Sequence, residues 1–239
     1  MQAIILAGGE GTRLRPYTTV LPKPLVPVGE HPIAEIIVRQ LKRDGFDRIV
    51  FAVHHLAELI QAFFGDGKRW GVTITYSRET RPLGTAGPIG LVEPLDESFL
   101  VMNGDVLTTL DYRALMEAHR AHGGIATLTT CRKEVPVSLG VVEVSPERTL
   151  TGYTEKPTLH YQVSMGIYVL SRRVTGLIPR DRPFDLPDLM KALVERGETV
   201  HCHEVVDDWF HLTRPEDFER VQTFERDDVS RFLRGTPNA

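Results

Sequence analysis

The chain has 239 residues, enough for one large domain or two small ones, with 41% hydrophobic and 25% charged residues, the balance of an ordinary globular protein. A net charge of −4 argues against duplex nucleic acid as a partner but leaves room for a small anion held by a local cluster. No apolar run nears the roughly 20 residues that span a bilayer. The N-terminus has no signal-peptide pattern, and two distant cysteines, Cys131 and Cys202, predict small core thiols in a reducing cytoplasm.

In chain order, residues 3–7 read as a buried strand, 32–44 as a helix stopped by Gly45, and 48–53 as a second strand. A helix over 57–64, a turn at 65–67 and a strand over 72–76 follow. Residues 85–92 predict a short helix despite Pro88, and 99–105 a strand ending in a sharp turn at Asn103-Gly104-Asp105. Asp111 suits the N-cap of a helix over 111–122. Beyond it, 126–131, 139–144, 149–157 and 163–170 read as hairpins and edge extensions, and helices return at 186–196 and 215–228. The alternation predicts an α/β fold: a doubly wound, mainly parallel, Rossmann-like sheet with helices on both faces and a β-rich lobe over the active face. No linker-like stretch or repeat divides the chain, so residues 1–239 read as one domain.

The first strand runs into LAGGEGTRLRPYTTVLPKP (6–24). Gly8, Gly9 and Gly11 let backbone N–H groups approach a ligand, and Arg13 offers a forked contact to phosphate oxygens. Lys23 adds a point charge stiffened by Pro22 and Pro24. The stretch is not a Walker A loop, and Leu14 breaks the dinucleotide fingerprint at its last glycine. That disfavours a redox enzyme. A glycine-rich turn with surface basics would show the same residues without a ligand.

Together with PKPLVPVGEHPI, RPLGTAGP (81–88), MNGD (102–105), LGVVEV (139–144), EKP (155–157) and RPEDFERV (214–221), this stretch resembles the signature of the sugar-1-phosphate nucleotidylyltransferases. The likeness spans nearly the whole chain. It implies a fold of the nucleotide-diphospho-sugar transferase type, with a nucleotide-binding part over about 1–110 and a sugar-binding part over about 111–230. It implies a reaction between a nucleoside triphosphate and a sugar 1-phosphate, giving a nucleotide sugar and pyrophosphate. In-line transfer brings two anions together, so cations and backbone donors are the groups it needs. The resemblance makes Arg13 and Lys23 catalytic. It places nucleotide contacts at Leu6, Gly8, Gly9, Gly11, Thr12, Gly84 and Thr85, and sugar contacts at Asn103, Gly140, Glu155, Lys156 and Ser164. Asp105 becomes the first ligand of Mg²⁺, with Mn²⁺ as the substitute. Among relatives, TRLRP with PKPLVP is most similar to mannose- and heptose-1-phosphate guanylyltransferases, which points to GTP and leaves UTP, CTP and dTTP open. The sugar is not legible. Longer relatives carry an added β-helix or regulatory domain, whereas this chain reads as the core domain, and homo-oligomers occur in the family.

Two positions depart from the pattern. Ser164 stands where the family commonly has Asn, so sugar contacts should differ. His211 stands where a second metal-binding Asp is expected. Three arrangements follow: His211 ligates a softer metal, Asp207 or Asp208 supplies the carboxylate, or Asp105 and phosphate oxygens suffice. The same departure keeps open an inactive nucleotide-sugar-binding subunit that regulates a partner. A zinc site at His201-Cys202-His203 with His211 is disfavoured, because in a strand His201 and His203 share a face while Cys202 points oppositely. His54-His55 is assigned no role.

Overall fold

A computed structural model of the protein describes residues 1–180, 182–206, 208–224 and 226–236. The strands are β1 (Gln2–Ala7), β2 (Pro27–Val28), β3 (His31–Pro32), β4 (Arg48–Val53), β5 (Thr73–Arg78), β6 (Ser98–Asn103) and β7 (Val106–Thr108) in the first half. The second half adds β8 (Ala126–Pro136), β9 (Val141–Val144), β10 (Leu150–Thr154), β11 (Thr158–Ser171), β12 (Val200–Glu204) and β13 (Trp209–His211). The helices are α1 (Ile33–Arg43), α2 (Ala57–Phe64), α3 (Tyr112–His122), α4 (Leu186–Glu195), α5 (Pro215–Gln222) and α6 (Arg226–Leu233).

One seven-stranded sheet runs β12-β8-β11-β6-β1-β4-β5. It is mainly parallel: β1 pairs in parallel with β4 and β6, β4 with β5, and β8 with β12, while β11 runs antiparallel to β6 and β8. The central strands carry unbroken apolar runs, 3–7, 49–53 and 99–102, because both faces are covered. Ala3, Ile5 and Ala7 of β1, with Ile49, Phe51 and Val53 of β4, join α1, α2, α3, α5 and α6 in one core. Ile4, Val50 and Ala52 point the other way, into a second core with Ile89 and the Leu186, Leu189 and Leu193 stripe of α4. Register then builds the ligand edge. Ala7 lies beside Val53, Val53 beside Arg78 and Leu6 beside Asn103, so the loops after these strands emerge together.

Several expectations need correction. The expected helix over 215–228 is two helices, α5 and α6. The Thr223 hydroxyl donates to the Arg220 carbonyl at 2.7 Å, ending the first, and Phe224 turns in to stack on Phe232. Of the short helix over 85–92 only a 3-10 turn, Gly87–Leu91, forms, as Pro88 brings no N–H to an α-helix. Strands β8 and β11 extend well past the predicted 126–131 and 163–170. Cys202 is exposed on the edge strand β12, not a core thiol, whereas Cys131 is partly buried. His201 stacks on His122 at 4.4 Å, and no group of three metal-donor side chains forms among the described residues. No helix among them is long and apolar enough to cross a membrane.

Candidate active site

The loops at the carboxyl ends of β1, β4, β5 and β6 enclose a cleft of about 630 Å³. Open α/β sheets bind ligands at this edge. Leu6, Gly8, Gly9, Gly11 and Arg13 line it, as do Lys23, Asn103 and Asp105. Gly11 takes φ +62°, a conformation favouring glycine, and caps the 3-10 turn Thr12–Leu14 that swings Arg13 over the cleft. A side chain on Gly9 would meet no protein atom within 4 Å, so the loop is left open there. Arg13 is exposed and has no ion pair among the described residues. Thr12 stands just outside, in an adjoining recess of about 200 Å³ shared with Arg13, Lys23 and Thr213.

At the floor, Lys23 Nζ is paired with Asp105 Oδ2. Strand β13 runs antiparallel to β7, with His211 opposite Val106, and this register delivers the imidazole to Asp105. His211 Nε2 stands 3.4 Å from Oδ1, within ionic reach but not aligned for a hydrogen bond. Oδ1 is thus buried with no hydrogen-bond partner. Burial pushes the Asp105 carboxyl up, but the His211 imidazole and the Lys23 ammonium outweigh it and hold it below the usual carboxylate range. An anionic oxygen left without a donor fits a divalent cation, so Asp105 would hold such an ion, while the His211 imidazole beside it is a softer donor than Mg²⁺ prefers. Asp208 does not line this cleft; its Oδ2 is held by Arg231 at 3.1 Å. Asp207 lies outside the described residues.

Gly84, Thr85, Pro82 and Pro88 form the opposite wall. Gly84 takes φ +78°, and a Cβ there would sit 2.7 Å from the Phe184 carbonyl. Thr85 is tied to the start of α4: its N–H and hydroxyl both donate to Asp185 Oδ1, and its Oγ1 accepts from the Leu186 N–H. Glu79, missed by the sequence reading, stands between the walls. It is 6% exposed, its Oε2 accepts from the Leu83 N–H at 2.9 Å, and Oε1 faces Gly8. Burial pushes this carboxyl above its ordinary range, partly offset by the Leu83 N–H and by His54. The available signal was its position, an acid directly after a strand that feeds the ligand edge. His54, given no role, and Thr213 also line the cleft.

The expected sugar residues divide. Asn103 lies in the cleft, against Gly166 of β11. Gly140, Glu155, Lys156 and Ser164 do not line it. Glu155 accepts from the Tyr153 hydroxyl at 3.0 Å, and a Cβ on Gly140 would lie 3.1 Å from the same carboxylate oxygen, so these gather at the end of the β9–β10 ribbon. Lys156 sits 3.7 Å from Glu155, and Ser164 Oγ is 3.2 Å from the Tyr168 hydroxyl.

A mainly parallel sheet with a glycine-lined cleft beyond its strand ends, holding Arg13 and Lys23, defines a protein with groups suited to a phosphorylated ligand. The chain belongs to the Nucleotidyl transferase family, whose sequence pattern matches residues 2–228. It is 34% identical over 238 residues to a UTP–glucose-1-phosphate uridylyltransferase of Synechocystis sp., covering 91% of this chain and 61% of that protein. It is 33% identical over 227 residues to a mannose-1-phosphate guanyltransferase of Saccharomyces cerevisiae, covering 91% of this chain and 63% of that one. The chain thus spans about three-fifths of the length of these curated relatives. A Bacillus anthracis protein, solved with sucrose as a candidate glucose-1-phosphate thymidylyltransferase, superposes with a TM-score of 0.77 at 27% identity, covering 95% of this chain and 96% of that one.

Proposed function

We propose that this cleft joins a nucleoside triphosphate to a sugar 1-phosphate, releasing pyrophosphate and a nucleotide sugar. The carrying observation is the convergence of a free guanidinium, Arg13, and the Lys23–Asp105 pair on the open glycine loop. A sugar-phosphate oxygen attacks the α-phosphorus, and its bond to the β-phosphate oxygen breaks as pyrophosphate departs. Arg13 and the loop N–H groups hold the triphosphate, and Lys23 offsets charge at the reacting phosphates. Thr12, Gly84 and Thr85 belong to the nucleotide side in this reading. A divalent cation at Asp105, Mg²⁺ or Mn²⁺, would neutralise charge on the phosphate oxygens. Gly140, Glu155, Lys156 and Ser164 belong to the sugar side, which the resemblance supports.

We take GTP as the first candidate. Similarity to guanyltransferases supports it, as does Glu79, a carboxylate acceptor beside the loop where guanine could present adjacent N–H donors. Similarity to a uridylyltransferase keeps UTP as the competitor. The two free cysteines support a cytosolic setting. His211 against Asp105 favours one second reading, a subunit that binds the nucleotide sugar without turnover.

Pyrophosphate release separates them. ATP, CTP, GTP, UTP and dTTP are each crossed with hexose, hexosamine and heptose 1-phosphates, first with Mg²⁺ and then with Mn²⁺. Release with one nucleotide is expected. Binding of that nucleotide without release supports the second reading, and no release with no nucleotide raising the melting temperature overturns both.

A further inference from the structure

Behind the loop that walls the cleft lies a second cavity of about 730 Å³. Leu83 and Gly87 face it, while Gly84, Thr85 and Pro88 of the same stretch face the cleft. One thickness of chain therefore separates the two. The walls of the second cavity mix apolar and polar side chains, with Val92, Leu95 and Ile178 buried beneath it. Arg172 and Arg180 also line it, with the Glu93 carboxylate. Arg172 already leans on Glu97 at 3.2 Å and on the Leu95 carbonyl. Arg180 has no ion pair or hydrogen bond among the described residues.

A cavity of this size, lined by apolar side chains with a few charged and polar groups among them, has the make-up of a small-molecule site. We propose that it takes a small organic anion, a phosphate or carboxylate on an apolar body, held by Arg180, and that its occupation is felt by the loop facing the cleft. The second clause rests on reading that loop as the nucleotide loop. The route is a lacing of hydrogen bonds between 83–87 and 184–186. Ala86 N–H and Gly87 N–H both donate to the Phe184 carbonyl, at 2.9 and 3.0 Å. The Phe184 N–H donates to the Leu83 carbonyl at 2.9 Å, and Asp185 holds Thr85. Ile178 and Arg180 lie on the stretch that leads into this lacing. A ligand wedged between Leu83 and Ile178 and gripped by Arg180 touches this lacing at Leu83. The site is separate from the triphosphate cations, since neither Arg13 nor Lys23 lines it.

The test uses 8-anilinonaphthalene-1-sulfonate, an anion on an aromatic body, with the full chain. Saturable fluorescence enhancement is expected. Arg180→Glu, at an exposed position where folding is not at stake, should weaken binding by about tenfold or more. Arg13→Ala should leave binding intact. Bound dye should slow amide exchange at Ala86 and Gly87 several-fold, and this protection should vanish in Arg180→Glu. Equal binding by Arg180→Glu, or loss in Arg13→Ala instead, overturns the site. Binding with unchanged exchange over 83–87 overturns the coupling. None of these readings needs a nucleotide, so failure of the proposed reaction would show separately, as triphosphates that neither react nor raise the melting temperature.

Discussion

His211 and Asp105 decide how the floor of the cleft behaves. Asp105 is committed on one oxygen to Lys23 and left without a hydrogen-bond partner on the other, and imidazole is a softer donor than the carboxylate expected at position 211. His211→Asp should therefore keep or raise Mg²⁺-supported pyrophosphate release. A loss of about tenfold or more, equal to some 1.4 kcal/mol, would give the imidazole a job of its own. Glu79 makes a different prediction. Its folded pKa is raised, so the folded chain favours the protonated acid. The penalty is absent below the unfolded pKa, grows as pH rises, and is complete above the folded value. Glu79→Gln should therefore raise the melting temperature at pH 8 relative to the parent and change it little at pH 4. If Glu79 reads the base, the same variant also loses discrimination between GTP and UTP in the release assay.

At the scale of elements, the opening loop and the β9–β10 ribbon are held in different ways. The loop is held by Gly11, whose missing Cβ would lie 2.8 Å from Thr18 Cγ2 and whose φ is positive. Gly11→Ala should cost about 1–2 kcal/mol for the left-handed backbone alone, read as a lower urea midpoint, and should lower turnover further by moving Arg13. The ribbon pairs only β9 with β10. Val142, Val144, Leu150 and Tyr153 along it are each about half exposed or more. Two strands alone are marginal in water, so amide exchange over 141–154 should be far faster than in β1 or β6. Matching rates would show that the ribbon is supported by contacts absent here. The ribbon also carries Gly140, Glu155 and Lys156 at its end, so its motion would offer these residues a route to a sugar bound in the cleft.

At the scale of the molecule, one sheet edge collects loops from across the chain, so ligand binding should stabilise the whole fold. The reactive triphosphate, at a hundred times its dissociation constant, should add about 2.7 kcal/mol. Arg13→Ala should lose most of that gain while the free chain melts unchanged, as an exposed, unpaired arginine contributes little to the fold. Chelation of divalent cations should abolish pyrophosphate release without altering the melting of the free chain. Unimpaired release in EDTA would remove the metal from the Asp105 reading.

The sequence by itself determined the parallel sheet and the placing of the glycine loop. Strand and helix periods are local, and the unbroken apolar runs of β1 and β4 announce burial on both faces before any fold is known. It could also point to Asp105, because a turn at a strand's end is a local event. What only the tertiary structure decided was company. Glu79 and Thr213 entered the cleft because register aligned strand ends from distant segments. Asp208 lies outside it, its carboxylate paired with Arg231 on the last described helix. The helix over 215–228 ends early at the local Thr223–Arg220 bond, but where the chain then goes, with Phe224 packed on Phe232 and on Phe210 of β13, is a choice local periodicity does not contain. Local propensity sets what each segment can be; long-range register and charge pairing set what it touches, and chemistry depends on the second.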